Sequence, residues 1–183
     1  MKSTVLILHG IEGVAGKHWQ GWLSNELMAL GYNVIMPTLP DANHPDRNKW
    51  LETIKRLCRD IQPNNLSIVG HSLGVLSALD YIETIPTKIY KLISVSGFSD
   101  DYHAELNSYF IKEKAIYFKK VNQNINHSYV IYGDNDPYVP QKNLSLLAKN
   151  LKTESFIVEN GGHLNLDSGF TSFPLLLDLI TES

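Results

Sequence analysis

Short apolar runs alternate along the chain with longer segments in which apolar residues recur at helical spacing. The runs predict six β-strands, and the nearly continuous apolar stretches Val5 to Leu8 and Leu92 to Val95 are typical of parallel strands covered on both faces. The predicted strands lie near residues 4–9, 32–36, 66–70, 89–96, 128–132 and 155–158. This alternation of strand and helix predicts an α/β fold with a parallel sheet.

The segments of helical period between the strands predict five helices, near residues 19–30, 48–61, 73–84, 140–151 and 170–181. Gly31 is a predicted stop for the first helix, and Pro63 is predicted to close the second. The segment 97–126 is long for a connection before a strand, and it mixes aromatic residues with Lys and Asp. It fits one ordinary crossover helix or a short cap over a pocket equally well.

The size and charge of the chain predict a single domain that binds a small molecule. The 183 residues are 43% hydrophobic and 19% charged, which is enough to bury a substantial core in one domain over residues 1–183. The net charge of −3 includes no basic run, so neither nucleic acid nor a membrane surface is expected as a partner. The oligomeric state is open, and a monomer fits the composition.

The lone cysteine and the start of the chain predict a cytoplasmic protein. Cys58 is the only cysteine, and it lies in a helical apolar pattern that predicts a core residue. The apolar run Val5 to Leu8 near the N-terminus is too short for a signal peptide or a membrane span. We therefore expect a cytoplasmic location.

The sequence Gly70-His71-Ser72-Leu73-Gly74 follows an apolar run and precedes a helical segment. This is the context of a nucleophile elbow, a sharp strand-to-helix turn that lifts a serine hydroxyl above the sheet edge. The turn strains the serine backbone and leaves room only for glycine two residues before and two residues after, as Gly70 and Gly74 provide. The Leu73 N–H would then lie at a helix start, where it can donate to a developing oxyanion.

A serine nucleophile needs a base, and in hydrolases with this elbow the chain order is Ser, then Asp or Glu, then His. Three histidines follow Ser72, namely His103, His127 and His163, and only His163 also follows the fifth predicted strand. Two glycines precede it and give the loop freedom to bring the ring toward Ser72. We therefore predict that His163 is the base.

Two aspartates after the fifth strand compete to orient that base. Pro137 restricts the backbone at Asp136, whereas Asp134 is placed to brace the turn itself, so Asp136 is favoured and Asp134 stays open. Asp100 and Asp101, after the fourth strand, form a further alternative.

The loop after the first strand is predicted to supply the second oxyanion donor. The residue after His9-Gly10 is Ile11, and Glu12 is the alternative. His9 is predicted to hold this loop by hydrogen bonds, and His71 is predicted to be a packing residue of the elbow.

Four motifs together resemble the small serine hydrolases of the retinoblastoma-binding-protein-nine and YdeN-like family: His9-Gly10, the Ser72 elbow, Asp136-Pro137-Tyr138-Val139-Pro140 and Gly162-His163. The resemblance spans nearly the whole chain and implies a minimal α/β-hydrolase fold, a three-layer αβα sandwich with about six parallel strands. It also implies a triad of Ser72, Asp136 and His163, which needs no metal or organic cofactor. Asn135 departs from the family pattern and keeps Asp134 open as the acid.

These features predict a serine hydrolase that cleaves a small ester, thioester or amide through an acyl-enzyme, with esters most favoured. The short chain leaves little room for a deep acyl tunnel, so short acyl groups are expected. A phosphate-binding loop is disfavoured, because five residues separate Gly10 from Gly16 and His18 replaces the required hydroxyl. A hydrolase-fold protein that acts mainly as a protein-interaction module, with weak or no catalysis, remains the alternative.

Overall fold

A computed structural model describes residues 3–182, which fold around one six-stranded parallel sheet. The strand order is β2-β1-β3-β4-β5-β6, and every neighbouring pair is parallel. The strands are β1 (Thr4–Leu8), β2 (Asn33–Ile35), β3 (Leu66–His71), β4 (Ile89–Val95), β5 (Ile125–Gly133) and β6 (Ser155–Val158). All six predicted strands are confirmed, and β5 begins three residues before its predicted start.

Helices fill the connections between these strands. The described residues contain α1 (Gln20–Ala29), α2 (Arg47–Cys58), α3 (Leu73–Thr84), α4 (Ser108–Lys112), α5 (Phe118–Gln123), α6 (Gln141–Leu151) and α7 (Pro174–Thr181). Gly31 follows α1 with a φ of +87°, so the predicted stop is confirmed. The prediction for Pro63 is wrong: α2 ends at Cys58, and Pro63 begins a short 3₁₀ turn that leads into β3.

The helices cover both faces of the sheet and make a three-layer sandwich. Leu6 and Leu8 belong to the core beneath α2, α3 and α6, whereas Val5 and Ile7 pack with α1 and α7 on the opposite face. This alternation explains why the whole of β1 is apolar, since successive side chains enter two different cores. Cys58 is buried in the first core, as predicted.

The strand order places the connections after β1 and β3 side by side at the carboxyl edge of the sheet. The chain leaves β1 toward β2 at one edge and then returns to β3 on the other side of β1. Ligands of open parallel sheets bind at such a reversal, outside the carboxyl ends of the strands. No helix within residues 3–182 is long and apolar enough to cross a membrane.

The segment 97–126 contains the two short helices α4 and α5, so the interpretation as a single crossover helix is wrong. A buried guanidinium explains where α4 ends. Arg47 Nη1 donates to the carbonyl oxygens of Phe110, Ile111 and Lys114, at 3.1, 3.0 and 2.7 Å, which satisfies groups that a helix end leaves open. The interpretation of the segment as a cap stays a prediction.

The same guanidinium makes a buried ion pair with Asp80 of α3, with Nε–Oδ2 and Nη2–Oδ1 distances of 2.7 and 2.9 Å. We expect Arg47→Met to lower the free energy of unfolding by about 3 kcal/mol, because a buried carboxylate and three carbonyls lose their main donor. Lys49→Met is the matched control, since Lys49 pairs with Asp41 at an exposed site and its loss should cost less than about 1 kcal/mol. Urea denaturation measures both, and equal losses would contradict this assignment.

Candidate active site

Ser72 lies in a sharp turn between β3 and α3, with φ 54° and ψ −125°. Its N–H donates to the Val95 carbonyl oxygen at 2.9 Å, which ties the turn to the end of β4. A Cβ atom on Gly70 would lie 2.9 Å from the Val75 Cα, and one on Gly74 would overlap the His9 carbonyl oxygen. The strained serine flanked by two sterically required glycines has the geometry of a nucleophile elbow.

The structure brings His163 and Asp136 into direct contact. The His163 Nδ1–H donates to Asp136 Oδ2 at 2.7 Å, and the carboxylate is fully buried. Asp136 Oδ1 accepts from the N–H groups of Tyr138 and Val139, at 2.9 and 3.0 Å. These bonds hold the carboxylate in place and fix the tautomer of the imidazole, whose Nε2 is left as the acceptor.

The other candidate carboxylates make different contacts. Asp134 Oδ1 accepts from the Asn160 N–H at 2.8 Å and so braces the turn. Asp100 Oδ2 accepts from the Ser99 hydroxyl at 2.6 Å, while Asp101 pairs with His103 and Lys112. None of the three is bonded to His163, whereas Asp136 is.

Ser72 and His163 line one pocket of about 410 Å³ at the carboxyl edge of the sheet. This volume is within the range of sites for small molecules. Within residues 3–182 no hydrogen bond joins the side chains of Ser72 and His163, although both are more than nine-tenths buried. Such bonds are often long before a substrate binds.

Two backbone N–H groups beside Ser72 are available to a ligand. Leu73 is the first residue of α3, and the described residues supply no acceptor for its N–H or for that of Ile11. Gly10 backs directly onto the serine, since a Cβ atom there would lie 2.9 Å from the Ser72 Cβ. The alternative donor, the Glu12 N–H, already donates to the Ala42 carbonyl oxygen at 2.7 Å.

Three side chains from other parts of the chain hold the backbone of the loop that carries His163. The His71 Nε2–H donates to the His163 carbonyl oxygen at 3.0 Å, and the Trp19 Nε1–H donates to the Leu164 carbonyl oxygen at 2.9 Å. His18 Nδ1 accepts from the Leu166 N–H at 3.0 Å. These bonds fix the loop at His163 and in the three residues that follow it.

Burial lowers the pKa of three histidines around the pocket, His9, His18 and His71. Desolvation lowers the pKa of His71 well below its usual value, and desolvation aided by the charge of Lys17 lowers the pKa of His18 to about 4. Desolvation also lowers the pKa of His9, which accepts from the Leu39 N–H through Nε2 and donates to the Gly10 carbonyl oxygen through Nδ1. The predicted role of His9 in holding its loop agrees with these two bonds.

These lowered pKa values predict a loss of stability in acid. Unfolded histidines take up protons near pH 6.5, whereas His18 in the fold resists protonation until about pH 4, so the free energy of unfolding should fall across that interval. We expect the urea midpoint to fall between pH 7 and 4.5, and to fall less in His18→Asn. Exposed His127 supplies the control, because His127→Asn should keep the wild-type slope. Identical slopes in all three proteins would contradict the prediction.

Sequence reasoning missed the hydrogen bonds that His18 and Trp19 make to the backbone of the loop that carries His163. Their backbone partners lie 148 and 145 residues away, so no local motif marks them. The one available signal was the pair His18-Trp19 at the start of the helix predicted near residues 19–30, close to the candidate oxyanion loop. No group of three or more His, Cys, Asp or Glu side chains within residues 3–182 is arranged to hold a metal ion.

Comparison with known proteins gives the family. The family model described as serine hydrolase matches residues 5–182, which is nearly the whole chain. The chain belongs to the serine hydrolase family. YdeN of Bacillus subtilis (strain 168) is 28% identical to this serine hydrolase, over 100% of this chain and 96% of YdeN. The serine hydrolase RBBP9 of Rattus norvegicus is 25% identical, over 88% of this chain and 86% of its own length.

Two solved structures share the fold of this serine hydrolase. The crystal structure of the ydeN gene product from B. subtilis aligns with a TM-score of 0.90 and 28% identity, and covers 98% of this chain and 97% of that one. A thioesterase domain from the curacin biosynthetic pathway aligns with a TM-score of 0.69 at 17% identity, over 99% of this chain and 91% of that one, and shows the fold alone. The predicted family and the minimal α/β-hydrolase fold are therefore confirmed.

Proposed function

We propose that this serine hydrolase cleaves an ester by way of an acyl-enzyme on Ser72, with His163 as the base and Asp136 as the orienting acid. The hydrogen bond between His163 Nδ1 and Asp136 Oδ2 carries the proposal, because it leaves Nε2 as a proton acceptor in the pocket that Ser72 lines. The same acyl-enzyme mechanism would cleave thioesters and amides.

In the first half of the reaction, Ser72 Oγ attacks the carbonyl carbon while its proton moves to His163 Nε2. The Leu73 and Ile11 N–H groups donate to the oxyanion that forms on the carbonyl oxygen. The bond from carbon to the leaving oxygen then breaks, and His163 returns the proton to that oxygen, which releases an alcohol. Asp136 stabilises the imidazolium throughout.

In the second half, water attacks the carbonyl carbon of the acyl-enzyme while His163 Nε2 takes one of its protons. The bond between Ser72 Oγ and the acyl carbon breaks, and the serine regains its proton from His163. The products are a carboxylic acid and the free enzyme. None of these steps uses a metal or an organic cofactor.

Labelling with a fluorophosphonate tests the proposed function. The probe reacts with an activated serine, so the wild-type protein should carry one adduct on the peptide that contains Ser72 and should lose hydrolysis of simple esters in parallel. His163→Ala should label far more slowly, because the serine loses its base. A wild-type protein that neither labels nor hydrolyses any ester would favour a role as an interaction module. A cytoplasmic location stays part of the proposal.

A further inference from the structure

The pocket at Ser72 has two walls of different character, each built from two chain segments. One wall comes from residues 102–107 and 137–139, and its lining is mostly apolar, with Asn107 as its amide: Tyr102, Ala104, Leu106, Asn107, Pro137, Tyr138 and Val139. Next to these two segments, the Asn143 side chain donates to the Asp100 carbonyl oxygen at 3.3 Å, beside the start of α6. We call this surface the apolar wall.

The second wall comes from residues 12–18 and 165–167, and its lining is polar: Glu12, Lys17, His18, Asn165 and Asp167. The hydrogen bond from the Leu166 N–H to His18 Nδ1 joins these two segments. Because Nδ1 accepts that bond, the neutral ring carries its proton on Nε2 and offers a donor. We call this surface the polar wall.

The apolar wall continues out of the pocket onto the protein surface. Leu106 is 47% exposed and Tyr138 is 58% exposed, and the Tyr138 ring packs edge-on against His163 with a centroid distance of 5.1 Å. An apolar surface that runs from the reacting centre into water favours a chain longer than the pocket itself. The small volume therefore limits the buried part of the acyl group rather than its length.

The polarity of the two halves of the substrate decides which wall each one contacts. His163 adjoins both walls, since the Tyr138 ring packs against it and residues 165–167 continue its loop. A hydroxylated alcohol finds hydrogen-bonding partners on the polar wall, whereas a hydrocarbon acyl chain is removed from water on the apolar wall.

We propose that the substrate is an amphipathic ester, in which an apolar acyl chain lies on the apolar wall and a hydroxylated alcohol bonds to the polar wall. This inference rests on the proposed function and adds the substrate class. Lys17, Glu12 and Asp167 carry charges of both signs, so an uncharged alcohol with several hydroxyl groups suits the polar wall better than an ionic one.

Four esters test the two walls separately: propyl acetate, propyl octanoate, and the 2,3-dihydroxypropyl esters of the same two acids, all below micellar concentration. We expect kcat/KM to rise at least about tenfold from acetyl to octanoyl, since each methylene removed from water is worth about fourfold. We expect the dihydroxypropyl esters to exceed the propyl esters about fivefold, the typical value of one net hydrogen bond.

Two variants test whether the apolar wall sets the preference for octanoyl over acetyl esters and whether the polar wall sets the preference for dihydroxypropyl over propyl esters. Leu106→Ser should lower the octanoyl-to-acetyl ratio about threefold or more, because its apolar contact with the chain is lost. Asp167→Ala should lower the dihydroxypropyl-to-propyl ratio about fivefold, because a hydroxyl acceptor is lost. Leu30→Ser and Asp60→Ala are the controls and should change neither ratio, since both side chains are exposed near the amino edge of the sheet.

The outcomes separate this inference from the proposed function. If Ser72→Ala abolishes hydrolysis but the wild-type protein cleaves all four esters within about twofold, the inference is wrong and the proposed function stands. Ratios that respond to Leu30→Ser or Asp60→Ala as strongly as to the wall variants would also overturn the inference. If the wild-type protein cleaves none of the four esters, the proposed function and the inference fall together.

Discussion

Ser72→Ala should lower kcat/KM for a simple ester by about 10⁴-fold or more, because the substitution removes the atom that forms the acyl bond. The free energy of unfolding should change little, since the hydroxyl makes no hydrogen bond within residues 3–182 and alanine keeps the Cβ atom. Initial rates with a chromogenic acetate ester measure the loss, and urea denaturation measures the stability.

Ser77→Ala is the matched control for this experiment. Ser77 lies on α3 close to the elbow, is fully buried, and its hydroxyl has no partner among the described residues. Its removal should leave the rate within about twofold, because it touches no reacting group. Retention of more than about one tenth of wild-type activity in Ser72→Ala would contradict the assignment of the nucleophile.

Asp136→Asn should lower kcat by about 10⁴-fold. The amide can donate to His163 Nδ1, so the imidazole would take the tautomer with its proton on Nε2 and could no longer accept the proton of Ser72. The Asp136 carboxylate also loses its charge, which otherwise stabilises the imidazolium. Single-turnover kinetics separate this loss in the chemical step from any change in binding.

Asp134→Asn tests the competing assignment directly. Asp134 lies two residues before Asp136 and accepts from the Asn160 N–H, a bond that an asparagine oxygen can keep. We expect less than about a tenfold effect on kcat. A larger loss in Asp134→Asn than in Asp136→Asn would transfer the orienting role to Asp134.

The parts of the fold that the sequence predicts correctly are those encoded locally. Nearly continuous apolar runs mark β1 and β4 because both faces of these strands are covered, and the elbow motif specifies its own turn through Gly70 and Gly74. The order of strands along the chain also limited the search for a base to His163. These features depend on neighbouring residues, so periodicity and spacing suffice to find them.

The parts that the sequence leaves open depend on contacts between distant residues. The segment 97–126 breaks into two helices because Arg47, far away in the sequence, donates hydrogen bonds to carbonyl oxygens at and just after the end of α4. The early end of α2 and the burial of Lys91 have no local marker either. Lys91 lies within an apolar strand, yet its ammonium donates to the carbonyl oxygens of Leu179 and Ile180 at the end of α7, at 2.8 and 3.2 Å.

The candidate active site shows the same difference between features that neighbouring residues encode and features that depend on distant contacts. The competition between Asp134 and Asp136 is a matter of side-chain direction within one turn, and both residues suit that turn chemically. The contacts distinguish them, since Asp136 reaches the imidazole while Asp134 reaches the backbone at Asn160. The bonds from His18, Trp19 and His71 to the loop of His163 join three elements, and only the folded chain brings them together.

A covalent acyl group should form on Ser72 during turnover. Rapid mixing with a chromogenic ester, followed by acid quench and mass spectrometry, detects this acyl-enzyme. We expect a burst of alcohol release close to one equivalent when deacylation is slow, with a mass increase of one acyl group on the peptide that contains Ser72. Ester turnover with no acyl group on Ser72 under any quench condition, or with the acyl group on another residue, would contradict it.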